Sequence, residues 1–316
     1  MTSRDVEVRQ KGDRMKMLIA ACWLFLAAQP AAAQAAPGAA AVPVAVIADP
    51  PKTSAFPARN QQLLIPSNGF GMNALFFLAA REGPKPTMLL LHGLPGNERN
   101  LDLAQAVRRA GWNVLTFTYR GAWGSQGTFS ILHALQDTGA AMEFLRSPGT
   151  AAKYGVDTKR IVIAGHSMGG YAAAAQGAKD ADIAGVVLLD AWDIGATATQ
   201  VRAAGDAGRK AFIAEFDDVG HSLGEIGAVE IADEVIGRGE TWHILPLAGA
   251  LARKPVLTIY ASKGIRADNA KLARALRQSS AKRVKAVEID SDHSFADSRI
   301  RLASEVVRWL DDLPAR

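Results

Sequence analysis

Ser167 sits in Gly165-His166-Ser167-Met168-Gly169-Gly170, directly after the apolar run Arg160-Ile161-Val162-Ile163-Ala164 and before the alanine-rich stretch Tyr171 to Lys179. The pattern G-x-S-x-G between a strand and a helix is a nucleophile elbow, a strained turn that presents the serine hydroxyl. Glycines two before and two after the serine give that turn the room it needs, and Gly170 allows the helix to approach the neighbouring strand. A serine hydroxyl alone is a weak nucleophile. It needs a base within hydrogen-bond reach and a third group to hold that base, and the chemistry such a set performs is acyl transfer through a covalent intermediate.

The elements that must position the serine are legible from pattern. Gln61 to Ile65 and Met72 to Ala79 flank Pro66-Ser67-Asn68-Gly69 and predict an antiparallel hairpin. Strands then alternate with helices: Thr87 to Leu91, Trp112 to Tyr119, Arg160 to Ala164 and Ile183 to Leu189 as strands, with Leu101 to Ala110, Ile131 to Leu145 and Gly169 to Lys179 as helices. Such alternation predicts an α/β fold with a mostly parallel central sheet and helices on both faces. Short apolar runs such as Met88 to Leu91 fit strands buried on both sides. The rhythm breaks over residues 191–254, where helical pattern is present without a clear strand, and resumes with Pro255 to Tyr260 (strand), Asn269 to Leu276 (helix), Arg283 to Ile289 (strand) and Ile300 to Leu310 (helix). The 191–254 insertion is expected to form a helical cap over the carboxyl edge of the sheet, where ligands bind in such folds.

These pieces resemble the α/β-hydrolase superfamily. The residues that carry the likeness are His92-Gly93-Leu94-Pro95-Gly96 after the first parallel strand, Tyr119-Arg120-Gly121 after the second, the elbow at Ser167, and Asp292-His293-Ser294-Phe295 after the last. Within the superfamily the likeness is to poorly characterised bacterial hydrolases near the dienelactone hydrolase and prolyl oligopeptidase-like branches. The resemblance implies His293 as the base, Met168 and Leu94 as the backbone donors of an oxyanion hole, and the chain order serine, acid, histidine. His166 then reads as elbow filler, His92 as a residue that orients the oxyanion loop, and Arg120 as a tie between loops beneath the site.

The acid departs from the family pattern. Similar hydrolases carry an aspartate just after the strand matching Pro255 to Tyr260, but that turn reads Ala261-Ser262-Lys263-Gly264. Asp190, at the carboxyl end of the strand ending in Leu189, is the favoured acid, with Asp268 the alternative and Asp193 third. Asp268 also reads as the N-cap of the following helix. A Ser-His pair working without an acid is the remaining option.

The implied activity is hydrolysis of a carboxylic ester, or less favourably of an amide or short peptide. The rival expectation is a catalytically silent hydrolase fold that binds a ligand under its cap. No cofactor or metal is expected: H-E-x-x-H and paired cysteines are absent, and the glycine-rich stretches match neither phosphate-loop nor dinucleotide patterns.

At the amino end, five basic residues (Arg4, Arg9, Lys11, Arg14, Lys16) precede the apolar run Met17 to Ala28, followed by small-x-small sites at Ala31 to Ala33 and Ala33 to Ala35. Residues 1–35 are therefore expected to be a signal peptide and the protein to be exported, periplasmic or secreted. The apolar run is shorter than the roughly 20 residues that span a bilayer, so no stable membrane insertion is expected after cleavage. Residues 36–59, rich in alanine and proline, read as a linker, with the α/β-hydrolase domain over 60–316. Cys22 is the single cysteine and would leave with the signal peptide. The net charge of +5 includes no basic cluster of the kind that binds nucleic acid, and the expected partner is a small-molecule ester or short peptide.

Overall fold

The computed structural model describes residues 41–52, 55–217 and 219–314. The signal-peptide expectation, Cys22 and the start of the expected linker lie outside those residues.

Eight strands form one sheet: β1 (Arg59–Ser67), β2 (Phe70–Leu78), β3 (Lys85–Leu91), β4 (Asn113–Phe117), β5 (Val156–His166), β6 (Gly185–Leu189), β7 (Val256–Lys263) and β8 (Val284–Asp292). Their order is β1-β2-β4-β3-β5-β6-β7-β8, antiparallel from β1 to β4 and parallel from there on. The expected hairpin forms with a tighter turn: Pro66 and Ser67 belong to β1, and only Asn68 (φ 47°) and Gly69 (φ 84°) turn the chain. Two positive-φ residues in a two-residue loop match the twist of the flanking strands, and Asn-Gly suits that geometry.

Period-2 alternation explains the continuous apolar runs. Leu89, Leu91, Ile163 and Leu188 face one core, and Met88, Leu90, Val162 and Val187 face the other, all at 1% exposure or less. Helices α2 (Leu101–Arg109) and α12 (Arg299–Asp311) contribute to the second core. The first core takes in α3 (Ile131–Arg146), α5 (Met168–Lys179) and α11 (Arg266–Ser280).

Two helices were not anticipated. Helix α1 (Val44–Ile47) lies inside the stretch 36–59, so ordered structure begins before the expected domain start, and Arg109 anchors it by donating to the carbonyls of Ala45 (2.6 Å) and Val46 (3.0 Å). Helix α4 (Pro148–Tyr154) precedes β5, with Ser147 accepting from the Thr150 amide, proline in the first turn and Gly155 closing it at φ 63°. Those end signals were present in the sequence.

Between β6 and β7 the chain runs through α6 (Ile194–Ala203), α7 (Gly205–Glu215), α8 (Gly220–Leu223), α9 (Ala228–Arg238) and α10 (Ala248–Leu251). Polar contacts tie this segment to the loop after β4. Glu234 of α9 accepts from the Ile131 and Leu132 amides at 2.7 and 3.0 Å, and the Trp123 amide donates to Ser222 O at 2.8 Å. A carboxylate at the start of α3 satisfies donors that the helix leaves free and complements its positive end.

Candidate active site

Ser167 joins β5 to α5 with φ 55° and ψ −120°, a region that L-residues avoid. The turn is possible because its neighbours are bare: a Cβ on Gly165 would overlap the Gly169 carbonyl. The Ser167 carbonyl accepts from the amides of Gly170 (2.9 Å), Tyr171 (3.2 Å) and Trp192 (3.0 Å), and its amide donates to Leu189 O (3.1 Å), so the strained residue is held on both sides. Ser167 is only 8% exposed.

His293 follows β8, and its Nδ1 lies 2.6 Å from Asp190 Oδ2. Asp190 follows β6 and is fully buried at φ 41°. Besides His293, it accepts from the Ala261 amide (3.1 Å), the Ile265 amide (2.9 Å) and Asn269 Nδ2 (3.5 Å). Four donors converge on an acceptor-only group, which is what a buried carboxylate requires. With Nδ1–H given to Asp190, the lone pair of His293 is on Nε2 and the imidazole is oriented for use as a base.

The other carboxylates stand elsewhere. Asp193 is the N-cap of α6, accepting from the Ala196 amide at 3.0 Å, with His243 Nδ1 3.5 Å away. Asp268 pairs with Lys271 at 2.9 Å. It is not the N-cap that the sequence suggested: α11 starts at Arg266, so Asp268 is in the first turn of the helix and Ile265 takes the cap position.

The proposed oxyanion donors belong to the elbow and to the loop after β3. Met168 opens α5, where a helix leaves its first amides without intrahelical partners. Leu94 follows Gly93, whose Cβ position would be 2.8 Å from Ser167 Cβ, so the loop after β3 lies directly against the serine. This loop is tied from two sides: His92 Nδ1 bonds Gly93 O (2.7 Å), and Trp123 Nε1 donates to Pro95 O (2.8 Å) while Arg99 lies 4.4 Å over its ring.

Several contributors had little or no sequence signal. His166, which the motif offers as filler, bonds His293 O through Nε2 at 2.8 Å and lies ring to ring with His293 at 4.5 Å. Arg299 of α12 donates to Ser294 O (2.8 Å), Asn100 Oδ1 (3.0 Å) and Asp102 Oδ2 (2.8 Å), joining the His293 loop to the start of α2. Burial lowers the imidazoles of His92 and His166 to about 4, so both are neutral at physiological pH. Arg120 does tie the layer beneath: its Nε lies 2.5 Å from Asp137 Oδ1, and Ser67 donates to the same carboxylate at 2.7 Å.

This sheet order with a serine elbow and a held histidine defines a hydrolase architecture. The alpha/beta hydrolase family model matches residues 88–305, and the chain belongs to that family. An uncharacterised protein of Mycobacterium tuberculosis is 31% identical over 121 residues, which span 38% of this chain and 41% of that relative. Among solved structures, an esterase of Pyrococcus furiosus superposes with a TM-score of 0.58 at 16% identity, covering 84% of this chain and 98% of the other. A putative dienelactone hydrolase of Klebsiella pneumoniae superposes with a TM-score of 0.55 at 17% identity, covering 81% and 99%.

Proposed function

We propose that the protein is a serine hydrolase that cleaves a carboxylic ester through an acyl-enzyme intermediate. The observation that carries this reading is the 2.6 Å contact from His293 to an Asp190 carboxylate that three further donors fix in place. In this mechanism Ser167 Oγ attacks the acyl carbon as its proton passes to His293 Nε2. The oxyanion that forms is stabilised by the Met168 and Leu94 amides, a contribution of about 10² to 10³ in rate for each donor of this kind. His293 returns the proton to the departing alkoxide, the ester C–O bond breaks, and the same residue then activates the water that releases the acid and restores Ser167.

The test is labelling of purified protein with a fluorophosphonate probe, followed by a panel of ester and peptide substrates. Labelling lost in Ser167→Ala, with turnover of short aryl esters, is expected. Labelling with peptide turnover alone would make the enzyme a peptidase. An unlabelled, inactive but folded protein would favour a silent binding protein.

A further inference from the structure

A cavity of about 560 Å³ opens at the amino ends of the parallel strands, where Ala184, Pro255 and Val284 meet the end of α12. Six of its lining residues are basic, Arg160, Arg253, Lys254, Lys282, Arg283 and Lys285, against the single carboxylate of Asp312. Some of these groups have partners. Lys254 Nζ donates to Gly177 O (2.7 Å) and to Asp180 O, Lys285 pairs with Glu305 at 2.9 Å, and Arg283 donates to Arg253 O. Arg160 lies 5.6 Å over the ring of Trp112. Among the described residues, no carboxylate stands within ion-pair distance of Arg160, Arg253 or Lys282. Trp112 and Trp309 also line the cavity, which gives the charged rim an apolar flank.

Like charges gathered in one concavity repel each other, and a low-dielectric wall focuses their field on whatever enters. A bound polyanion relieves that repulsion, and guanidinium groups match phosphate oxygens with paired donors. Opposing this are the Glu305 carboxylate paired with Lys285 and the α12 terminus, where Asp312 and the last helical carbonyls are negative.

We propose that this cavity is a binding site for a group bearing two or more phosphate charges, separate from the catalytic face. Arg160 and His166 lie six residues apart on β5, or roughly 20 Å at the rise of a strand. A ligand held at Arg160 therefore leaves the approach to Ser167 open. The phosphates can belong to a free oligophosphate or to phospholipid headgroups.

The experiment compares the full chain with a triple variant, Arg160→Glu, Arg253→Glu and Lys282→Glu. A control of equal net charge carries Lys210→Glu, Arg238→Glu and Arg274→Glu, all outside the cavity. Sodium tripolyphosphate is titrated calorimetrically at low and at near-physiological salt, and co-sedimentation is measured with phosphatidylglycerol/phosphatidylcholine vesicles. Circular dichroism and aryl-ester turnover establish that the variants are folded. Saturable tripolyphosphate binding is expected, at least tenfold weaker in the triple variant, unchanged in the control and weakened by salt. Vesicle binding with the same dependence would identify headgroups as the source of phosphate, and tripolyphosphate binding without it a free oligophosphate. Binding of neither probe, or equal loss in variant and control, would overturn the site.

Discussion

A Cβ on Gly264 would overlap Asp190 Oδ2, so the bare Gly264 leaves the room that the buried carboxylate fills. Similar hydrolases carry their acid in the turn after the strand that corresponds to β7. Here the end of β7 and the turn after it supply a glycine and two backbone amides, Ala261 and Ile265, that grip a carboxylate arriving from β6. Gly264→Ala is expected to push Asp190 away from His293 and cut kcat at least tenfold, with about 1 to 3 kcal/mol of destabilisation from overpacking. Turnover and thermal melting of one preparation decide this, and wild-type values in both would show that the carboxylate has room to move.

Asp190→Asn presents an amide to His293 Nδ1 and favours the wrong tautomer. The expected loss in kcat is at least about a hundredfold, up to about 10⁴. Asp268→Asn removes only a partly exposed pair with Lys271, so activity should stay near wild type with a stability change within about 1 kcal/mol. Parallel kinetics on the two variants separate these roles, and an inactive Asp268→Asn would reassign the acid.

Arg299 holds the carbonyl next to His293 and the start of α2 with one guanidinium. Arg299→Lys keeps the charge but loses the fork of donors. The expected result is a kcat about tenfold lower with little change in KM, because the histidine loop loses its placement while the binding surface stays. A change confined to KM would assign Arg299 to substrate binding.

Acid sensitivity should arise from the buried imidazoles. His92 and His166 are lowered to about 4 by burial, against about 6.5 in the unfolded chain. As pH falls from 6.5 to 4 the unfolded chain takes up protons that the folded protein refuses. Stability is therefore full above 6.5 and declines across that window, by up to about 3 kcal/mol for each histidine. Denaturant unfolding at pH 7.5, 5.5 and 4.5 measures the slope. His166→Gln, which keeps an amide donor for His293 O, should flatten it, and an unchanged slope would count against His166 as its source.

Residues 1–35 are read as a signal peptide, which predicts a mature amino terminus near Gln34 or Ala36. Mass spectrometry of protein recovered from the cell envelope tests this. An intact Met1 to Cys22 segment would contradict export by cleavage, and a chain beginning at lipid-modified Cys22 would reveal a lipoprotein.

The elbow was legible because its determinants are local: an apolar strand, glycines where a Cβ cannot fit, and a helix all lie within twenty residues of Ser167. The sheet was legible because strands buried on both faces must be apolar without interruption, as Met88 to Leu91 are. Helix α1 was not, because tertiary bonds from Arg109 hold it within a proline-rich stretch whose own propensities give no sign of it. The carboxylate that meets His293 marks the same boundary. Asp190, Asp193 and Asp268 are alike as local sequence, and each follows a strand or begins a helix. Only the parallel pairing of β6, β7 and β8 brings the ends of these strands side by side, placing Asp190 against a histidine 103 residues away and closing its shell with amides from β7 and the turn after it. Hydrogen-bond partners at that separation are set by strand order and register, which no window of the chain contains.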